Sequence, residues 1–361
     1  MRSPRAIGFL LASFLFTAMI AQRGYGQGAL LLQDSDGAGS FLNPTGHDSV
    51  YFARICAASP TKLHRCAPGE LGVEIGRHRD IAGYDWLAVP IFPYLYSVED
   101  ISQIPAHVNR ETVEDLNRRY HNAHLMGLGA NLPEGGNFQP GWNQLVGAAY
   151  VRRIYAFRFE TTEAQDDAFI AKMNASENRE RFNMLFRNCA DFSSSVLDFY
   201  FPHAFHRHIL PDAGITTPRQ VAYELQRFAQ KHPEIHLTVM EIPMIPGYHY
   251  VSRMGKSAAG SMIASGYVVP IAVVNPLAAV AIVTDDLVFG RFPLSLRTAQ
   301  VLGPGSLAAL ASSTVSTQTR KFEPPENGSD LKTIARSIPD GYQGHWLGFG
   351  LSAAKSIIWP L

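Results

Sequence analysis

The sequence predicts an α+β domain in which an antiparallel sheet packs against a cysteine-bearing helix, followed by a transmembrane segment. Two observations indicate the domain. SVYFARI is rich in β-branched and aromatic residues and comes after a loop with Pro44 and Gly46, and AAYVRRIYAFRFETT alternates as a strand does. Other segments repeat apolar residues at spacings of three and four, which is the period of an amphipathic helix. A third observation, 28 consecutive uncharged residues at 257–284, predicts the membrane segment.

The N-terminus has the layout of a secretory signal peptide. Arg2 and Arg5 precede an uncharged apolar stretch, AIGFLLASFLFTAMIA, and small residues follow at Gly24 and Gly26. We therefore predict a signal peptide over residues 1–26, with cleavage near Gly26, and export of the protein. The alternative is an uncleaved N-terminal membrane anchor. No cysteine lies at the cleavage boundary, which argues against a lipoprotein anchor.

The chain has three cysteines, and their expected state follows from export. An oxidising compartment allows Cys56 and Cys66 to form a disulfide that closes a short polar loop. Cys189 is then the odd thiol. An odd thiol in an exported protein is either reactive or pairs between chains.

Further elements lie between these features. YDWLAVPIFPYLY, which Pro90 and Pro93 interrupt, predicts an edge strand that leads into a substrate-lining loop. ETVEDLNRRYHNAHL and EAQDDAFIAKMNAS predict helices, and the first has acidic residues toward its start and basic residues later, as the helix dipole favours. Residues 126–144 are rich in Gly, Asn and Pro and predict a long loop that acts as a lid.

Cys189 is the candidate nucleophile. In RFNMLFRNCADFSSSVLDFYF an Asn-Cys pair follows an apolar run, and Phe192, Val196, Phe199 and Tyr200 then recur at helical spacing. The unpaired amides and partial positive charge at a helix N-terminus favour the thiolate, which is the reactive form of cysteine. The alternative is a small buried cysteine at the start of a core helix.

A nucleophilic cysteine needs a base within hydrogen-bond reach, and His47 is the candidate. It lies in NPTGHDSVYFARI, where Pro44 and Gly46 end a loop and the next residues continue as a strand. At the first residue of a strand, its ring projects from the edge of the sheet. The alternative is a loop histidine that is hydrogen-bonded to neighbouring backbone.

These two motifs, a GH pair that enters a strand and NCADF at a later helix start, resemble the circularly permuted papain-like hydrolases. That group includes permuted NlpC-type cell-wall peptidases and lecithin retinol acyltransferase-like enzymes, in which the histidine precedes the cysteine. The resemblance covers residues 43–201 with gaps. It implies a permuted papain-like fold with a nucleophile-bearing helix, in which Cys189 is the nucleophile and His47 is the general base.

The resemblance also implies a third polar residue on the next strand. The segment LGVEIGRH offers His78 and Glu74. We assign His78, because it ends the strand, whereas Glu74 alternates with apolar neighbours; Glu74 stays the alternative. An insertion at residues 57–69 separates the two strands and lengthens the gap between His47 and this third residue.

The remaining motifs predict no cofactor, no metal site and no nucleic-acid partner. HAFHRH and HNAH have short histidine spacings, but no further ligand motif accompanies them, so they are interpreted as surface histidines. The chain has no phosphate-binding loop, dinucleotide fingerprint or GxSxG elbow. Lys plus Arg and Asp plus Glu number 31 each, so net charge does not indicate a nucleic-acid partner.

The predicted organisation is a signal peptide at 1–26, a thiol hydrolase domain at 27–255, a transmembrane segment at 257–284 and a partly disordered tail at 285–361. A buried core hairpin is the alternative for 257–284, since the stretch is rich in Ala, Gly and Ser. The predicted function is an exported, membrane-tethered cysteine hydrolase that acts on an amide or ester bond of cell-wall peptides. The alternatives are a lipid acyl hydrolase or acyltransferase, and a non-catalytic membrane-anchored binding protein.

Overall fold

The computed structural model describes residues 26–36, 45–79, 81–128, 142–207, 214–247, 252–288, 290 and 292–307. These residues form an α+β structure, as predicted. The strands are β1 (Gly26–Gln33), β2 (Ser35–Asp36), β3 (His47–Phe52), β4 (Ile55–Ser59), β5 (Lys62–Arg65), β6 (Val73–Gly76), β7 (Leu87–Pro90), β8 (Ile154–Thr161), β9 (Thr238–Ile242), β10 (Ser252–Arg253) and β11 (Gln300–Val301).

Ten α-helices lie in the described part of the chain. They are α1 (Ile91–Tyr96), α2 (Arg110–Tyr120), α3 (Trp142–Leu145), α4 (Ala148–Val151), α5 (Glu163–Ala175), α6 (Cys189–Tyr200), α7 (Pro218–Lys231), α8 (Ala258–Ala264), α9 (Val268–Val274) and α10 (Pro276–Val288). Helix α2 continues into a π-helical turn, His121–Leu125, so the helix predicted for this segment is confirmed.

Seven strands form one sheet in the order β11-β9-β8-β1-β3-β6-β7. Every pair in it is antiparallel except β11 with β9, so the sheet is mixed rather than purely antiparallel as predicted. The segment YDWLAVPIFPYLY contributes the edge strand β7, as predicted, but helix α1 and not a loop follows it. All six residues of α1 are buried, which accounts for the apolar character of IFPYLY.

The sheet separates two hydrophobic cores, because side chains alternate between its faces. On the face that we call the cysteine face, Leu30, Val50 and Phe52 pack with residues of α5, α6 and α7. On the opposite face, Ala29 and Leu31 pack with residues of α1 to α4. The face to which a residue of β3 points therefore decides whether it can meet Cys189.

The β4–β5 hairpin corresponds to the predicted insertion. It carries a disulfide between Cys56 and Cys66, which confirms the predicted pairing and leaves Cys189 as the free, buried cysteine. The hairpin lies beside helix α5, where the side chain of Asn174 hydrogen-bonds both backbone groups of Leu63. The disulfide therefore closes a short local loop, with a sequence separation of 10.

We expect replacement of both Cys56 and Cys66 by Ser to lower the free energy of unfolding by about 2 to 3 kcal/mol, because the short closed loop restricts the unfolded chain. Chemical denaturation measures this loss, with Ser59→Ala in the same hairpin as the control. Alkylation of Cys189 should not change. A mass-spectrometric finding of Cys189 bridged to Cys56 or Cys66 would contradict both statements.

The uncharged run at 257–284 does not form the single spanning helix that we predicted. It is divided among α8, α9 and α10, of 7, 7 and 13 residues. Gly266 has a positive φ of 75° between the first two helices, and Asn275 separates the last two. No helix in the described ranges is long and apolar enough to cross a membrane.

Three sequence predictions lie outside the described residues. They are the signal peptide, apart from Gly26 at the start of β1, most of the lid loop at 126–144, and the tail beyond residue 307.

Candidate active site

Cys189 is the first residue of helix α6, as predicted from the NCADF motif. The side-chain oxygen of Asn188 accepts a hydrogen bond from the backbone N–H of Asp191, and the carboxylate of Asp191 accepts one from the N–H of Asn188. This reciprocal capping box fixes the start of the helix. Arg77 donates to the backbone oxygen of Asn188, and the Asn188 amide donates to the backbone oxygen of Thr216. Asn188, the residue before the cysteine, is therefore held by contacts with Arg77, Asp191 and Thr216.

The thiol of Cys189 lies against Asp48 of strand β3. Burial raises the pKa of this thiol above its ordinary value, and the negative charge of Asp48 raises it further. The backbone N–H groups of Asp48 and Ala190 act in the opposite direction and stabilise negative charge on the sulfur. The backbone amides at the helix start thus lower the thiol pKa, as predicted. Burial and Asp48 outweigh them, so the net pKa is raised and not lowered.

Asp48 is a fully buried carboxyl group, and its pKa is raised from 3.8 to about 7. Burial is the largest cause, because it penalises the ionised form. The side chains of Cys189 and Ser193 lie beside the carboxylate and lower its pKa in part. Neither carboxylate oxygen has a hydrogen bond of normal geometry. Asp48 is thus half ionised near neutral pH and adjoins the thiol.

His47 is also buried, but it is the neighbour of Asp48 in an extended strand and therefore points to the opposite face. Burial lowers its pKa well below 6.5, and electrostatic interactions with His78 and Arg152 lower it further. Its Nε2 atom has no hydrogen-bond partner. Among the described residues, no hydrogen bond or ion pair joins His47 to Cys189. His47 is therefore a neutral imidazole on the face of the sheet opposite Asp48 and Cys189.

The structure does bring His47 and His78 together. Their ring centroids lie 5.2 Å apart. Nε2 of His78 lies 3.7 Å from Oε1 of Glu74, and both side chains are fully buried. Burial raises the pKa of Glu74, while its interactions with His78 and Ser49 lower it in part. Of the two predicted candidates for the third residue, His78 thus lies beside His47, and Glu74 lies beside His78.

Gly76 makes room for this cluster. A Cβ atom at position 76 would lie 2.5 Å from Oε1 of Glu74 and 3.1 Å from Nε2 of His78. The hydroxyl of Tyr94 extends the cluster, since it lies 3.0 Å from the Ser49 hydroxyl and accepts a hydrogen bond from Gln33. The cluster on the opposite face is therefore a close-packed polar network of His47, Ser49, Glu74, His78, Tyr94 and Gln33.

Asp48 is the site residue that sequence reasoning missed. The alternation of HDSVYF groups Asp48 with Val50 and Phe52, and the structure shows that these two apolar residues face the cysteine helix. Asp48 has the same parity as these two residues and therefore shares their face, whereas His47 does not. The resemblance implies a role for His47 and none for Asp48, so Asp48 was not considered.

No feature of the described residues indicates a metal site. One group there has three possible ligands close together, namely Cys56, Cys66 and Glu70. Its two sulfur atoms are joined in the disulfide and are not thiolate ligands. In the HNAH motif, the prediction of surface histidines is wrong for His121, which is buried against Trp142, whereas His124 is exposed and lies beside Glu99.

The comparisons with known proteins leave the family open. No protein-family model, no curated protein and no solved structure matches the chain.

Proposed function

We propose that this protein is an exported cysteine hydrolase or acyl transferase of permuted papain-like fold, in which Cys189 and Asp48 together act on an amide or ester bond. One observation carries the proposal. The free thiol, at the first residue of a helix, contacts a buried carboxyl group whose pKa is about 7. A pKa near the working pH allows one group both to accept and to donate a proton.

A second observation supports an enzymatic function over a purely structural one. Buried polar groups without partners destabilise a fold, so native cores contain few of them. Here atoms of Asp48, Glu74, His47 and His78 are buried without hydrogen-bond partners at one end of the sheet. Perturbed ionisable groups of this kind concentrate at functional sites. Asp48 is the member of this set that lies next to the free thiol, and that contact favours acyl-transfer chemistry.

The proposed reaction begins when Sγ of Cys189 attacks the carbonyl carbon and its proton passes to the Asp48 carboxylate. As the carbon–nitrogen or carbon–oxygen bond breaks, Asp48 gives this proton to the leaving amine or alkoxide, and a thioester remains on Cys189. A water molecule then attacks the thioester while Asp48 takes one of its protons. The sulfur leaves and recovers the proton from Asp48. An acyl acceptor in place of water would complete a transfer.

The raised pKa of the thiol does not prevent this first step. The pair carries one negative charge before the proton moves, on Asp48, and one afterwards, on the sulfur. Burial, the larger cause of the raised thiol pKa, penalises a negative charge on either group, and the repulsion from Asp48, the second cause, disappears as the proton is transferred. The two groups share one proton and titrate as a coupled pair.

His47, His78 and Glu74 belong to the proposal in the roles that the resemblance implies. His47 would act as the general base and His78 or Glu74 would orient it, which requires His47 to reach the thiol from the end of β3. The described contacts favour Asp48 as the immediate proton acceptor. Variants at both positions distinguish the two assignments.

The substrate class follows from the proposed export. Cell-wall peptides are the first candidates, because an exported thiol hydrolase of this type meets their amide bonds. A lipid acyl ester or amide is the alternative, and it fits the proposed association with the exported face of a membrane.

The test compares alkylation with catalysis. In Asp48→Asn, we expect iodoacetamide to alkylate Cys189 faster at pH 7, because removal of the negative charge lowers the pKa of the thiol. Hydrolysis of 4-nitrophenyl acetate should instead fall by at least about 100-fold, because the proton acceptor is lost. In the unmodified protein, hydrolysis should decline below about pH 7 as Asp48 becomes protonated. Cys189→Ala should abolish hydrolysis.

Ser195→Ala on the exposed side of α6 is the matched control and should change neither rate. If His47→Ala loses hydrolysis while Asp48→Asn keeps it, the base is His47 and the assignment to Asp48 is wrong. If Cys189→Ala retains full hydrolysis, the enzymatic proposal fails and the non-catalytic binding protein is the better hypothesis.

A further inference from the structure

The segment between β10 and β11 exposes an apolar surface. Helices α9 and α10, joined by Asn275, form a unit that we call the apolar hairpin. The most exposed large apolar side chains in the described part of the chain lie at this junction: Val273 at 82%, Val274 at 87% and Leu277 at 82%. Further exposed side chains are Val269, Val280, Leu287 and Val288. Contiguous apolar exposure of this kind marks an interaction surface.

The distribution of these exposed residues indicates which kind of partner, a protein or a lipid, would cover the apolar surface. Helix α9 consists of VVPIAVV and has no buried residue, so it is apolar on all sides and exposed on several. The groove or flat face of a protein partner covers one side of a helix. A helix that is apolar all round needs an apolar medium around it.

Two backbone N–H groups at the junction are satisfied within the hairpin. The N–H of Asn275 donates to the backbone oxygen of Ile271, and the N–H of Ala278 donates to the Asn275 side chain. Pro276, the first residue of α10, has no N–H to leave unpaired. Lipid tolerates only backbone whose polar groups are satisfied internally.

The other end of the hairpin is polar and fixed to the rest of the chain. Ser257 donates a hydrogen bond to Asp286 near the end of α10 and accepts one from the N–H of Gly260 in α8. A Cβ atom at position 260 would lie 2.5 Å from a carboxylate oxygen of Asp286, so glycine allows α8 and α10 to approach closely. Charge returns with Lys256 on one side of the uncharged run and with Asp285 on the other.

We propose that the apolar hairpin inserts into one leaflet of a lipid bilayer, with Val273, Val274 and Leu277 entering first, and does not cross it. Helix α9 is about 10 Å long at about 1.5 Å per residue. One leaflet contributes roughly 15 Å of a hydrocarbon core that is about 30 Å thick. The helix therefore fits within a leaflet, and Asp285 and Asp286 remain at the polar boundary. This inference does not depend on the proposed chemistry of Cys189.

The test uses the full chain with a fluorescent reporter at the junction. A nitrobenzoxadiazole group is attached at Val274→Cys in a Cys189→Ala background, and vesicles of three parts phosphatidylcholine to one part phosphatidylglycerol are added. We expect a blue-shifted, brighter emission that lipids with a spin label on the acyl chain quench. The same reporter at Val301→Cys, a valine of 61% exposure outside the hairpin, should not respond.

A charge variant provides the second measurement. Val273→Asp with Val274→Asp should reduce the fraction of protein that floats with the vesicles by about tenfold or more, because carboxylates resist entry into hydrocarbon. Val301→Asp should leave it unchanged. An emission at position 274 that ignores vesicles would overturn the proposal. A blue shift that rises with protein concentration in the absence of lipid would also overturn it and would assign the surface to a second copy of the chain.

Discussion

Replacement of Asp48 by Asn is expected to raise the free energy of unfolding by about 4 kcal/mol at pH 8 and to change it little at pH 4. The pKa of this carboxyl group is about 7 in the folded protein against an ordinary value of 3.8. The folded state therefore binds the proton more tightly than the unfolded state. A difference of about 3 pKa units, at about 1.4 kcal/mol each, corresponds to about 4 kcal/mol.

The sign of this effect fixes the pH window. Below about pH 4 both states are protonated, and protonated Asp48 favours the fold. As the pH rises from about 4 through 7, the unfolded state ionises first and this contribution is lost. Asparagine mimics the protonated acid at every pH, so the advantage of the variant grows across that window. Urea denaturation at pH 4, 6 and 8 measures it.

Asp167→Asn is the control, because that carboxylate is 62% exposed and lies on the surface of helix α5. Its difference from the unmodified protein should stay small at all three pH values. An Asp48→Asn variant whose stability follows the pH dependence of the unmodified protein would show that the carboxyl group is not perturbed in the fold. The proposal that Cys189 and Asp48 share a proton would then be wrong.

The cost of ionised Asp48 connects stability with the proposed function. A carboxylate that weakens the fold near neutral pH is kept beside a thiol, although Asn would fill the same space. A buried ionised group that lowers stability is the kind of local exception that is expected at functional sites. The stability experiment and the alkylation experiment therefore examine the same group by independent measurements.

The helix start at Cys189 and the strand at His47 could be predicted because their signals are local. The Asn188 cap, the helical spacing after it and the β-branched run after Gly46 each lie within a few residues. The face of the sheet that each side chain occupies is not local, since it depends on the pairing of β3 with β1, in which Asp48 lies opposite Leu32 and His47 opposite Gln33. The raised pKa of the thiol depends on this pairing too.

The structure of the uncharged run at 257–284 also could not be predicted from local sequence. Its composition resembles that of a membrane span, and composition alone does not reveal where a helix breaks. Gly266 and the Asn275–Pro276 pair divide the run into three helices. Glycine and proline were visible in the sequence, but proline is also tolerated in membrane helices, so it did not decide between the two structures.

Replacement of Arg54 by Met is expected to lower the free energy of unfolding by about 3 to 5 kcal/mol at pH 8. Arg54 is 4% exposed, and its Nε and Nη2 atoms lie 2.9 and 2.8 Å from Oδ2 of Asp166. The Tyr200 hydroxyl at the end of α6 donates to the other oxygen of Asp166. Loss of the guanidinium would leave a buried carboxylate without its cation, and such losses fall in this range.

The pH dependence and a double variant isolate the charge from the packing. Burial already raises the pKa of Asp166 and Arg54 opposes this shift, so the pKa should rise further in Arg54→Met and the loss should shrink at pH 5. Arg54→Met with Asp166→Leu removes both charges and should recover most of the stability, because well-packed apolar residues replace a buried ion pair with little loss. Equal losses in the single and double variants would mean that the arginine acts through packing of its stem. If the double variant recovers its stability, the loss in Arg54→Met comes from the unpaired charge of Asp166, which lies where α5, α6 and the sheet meet.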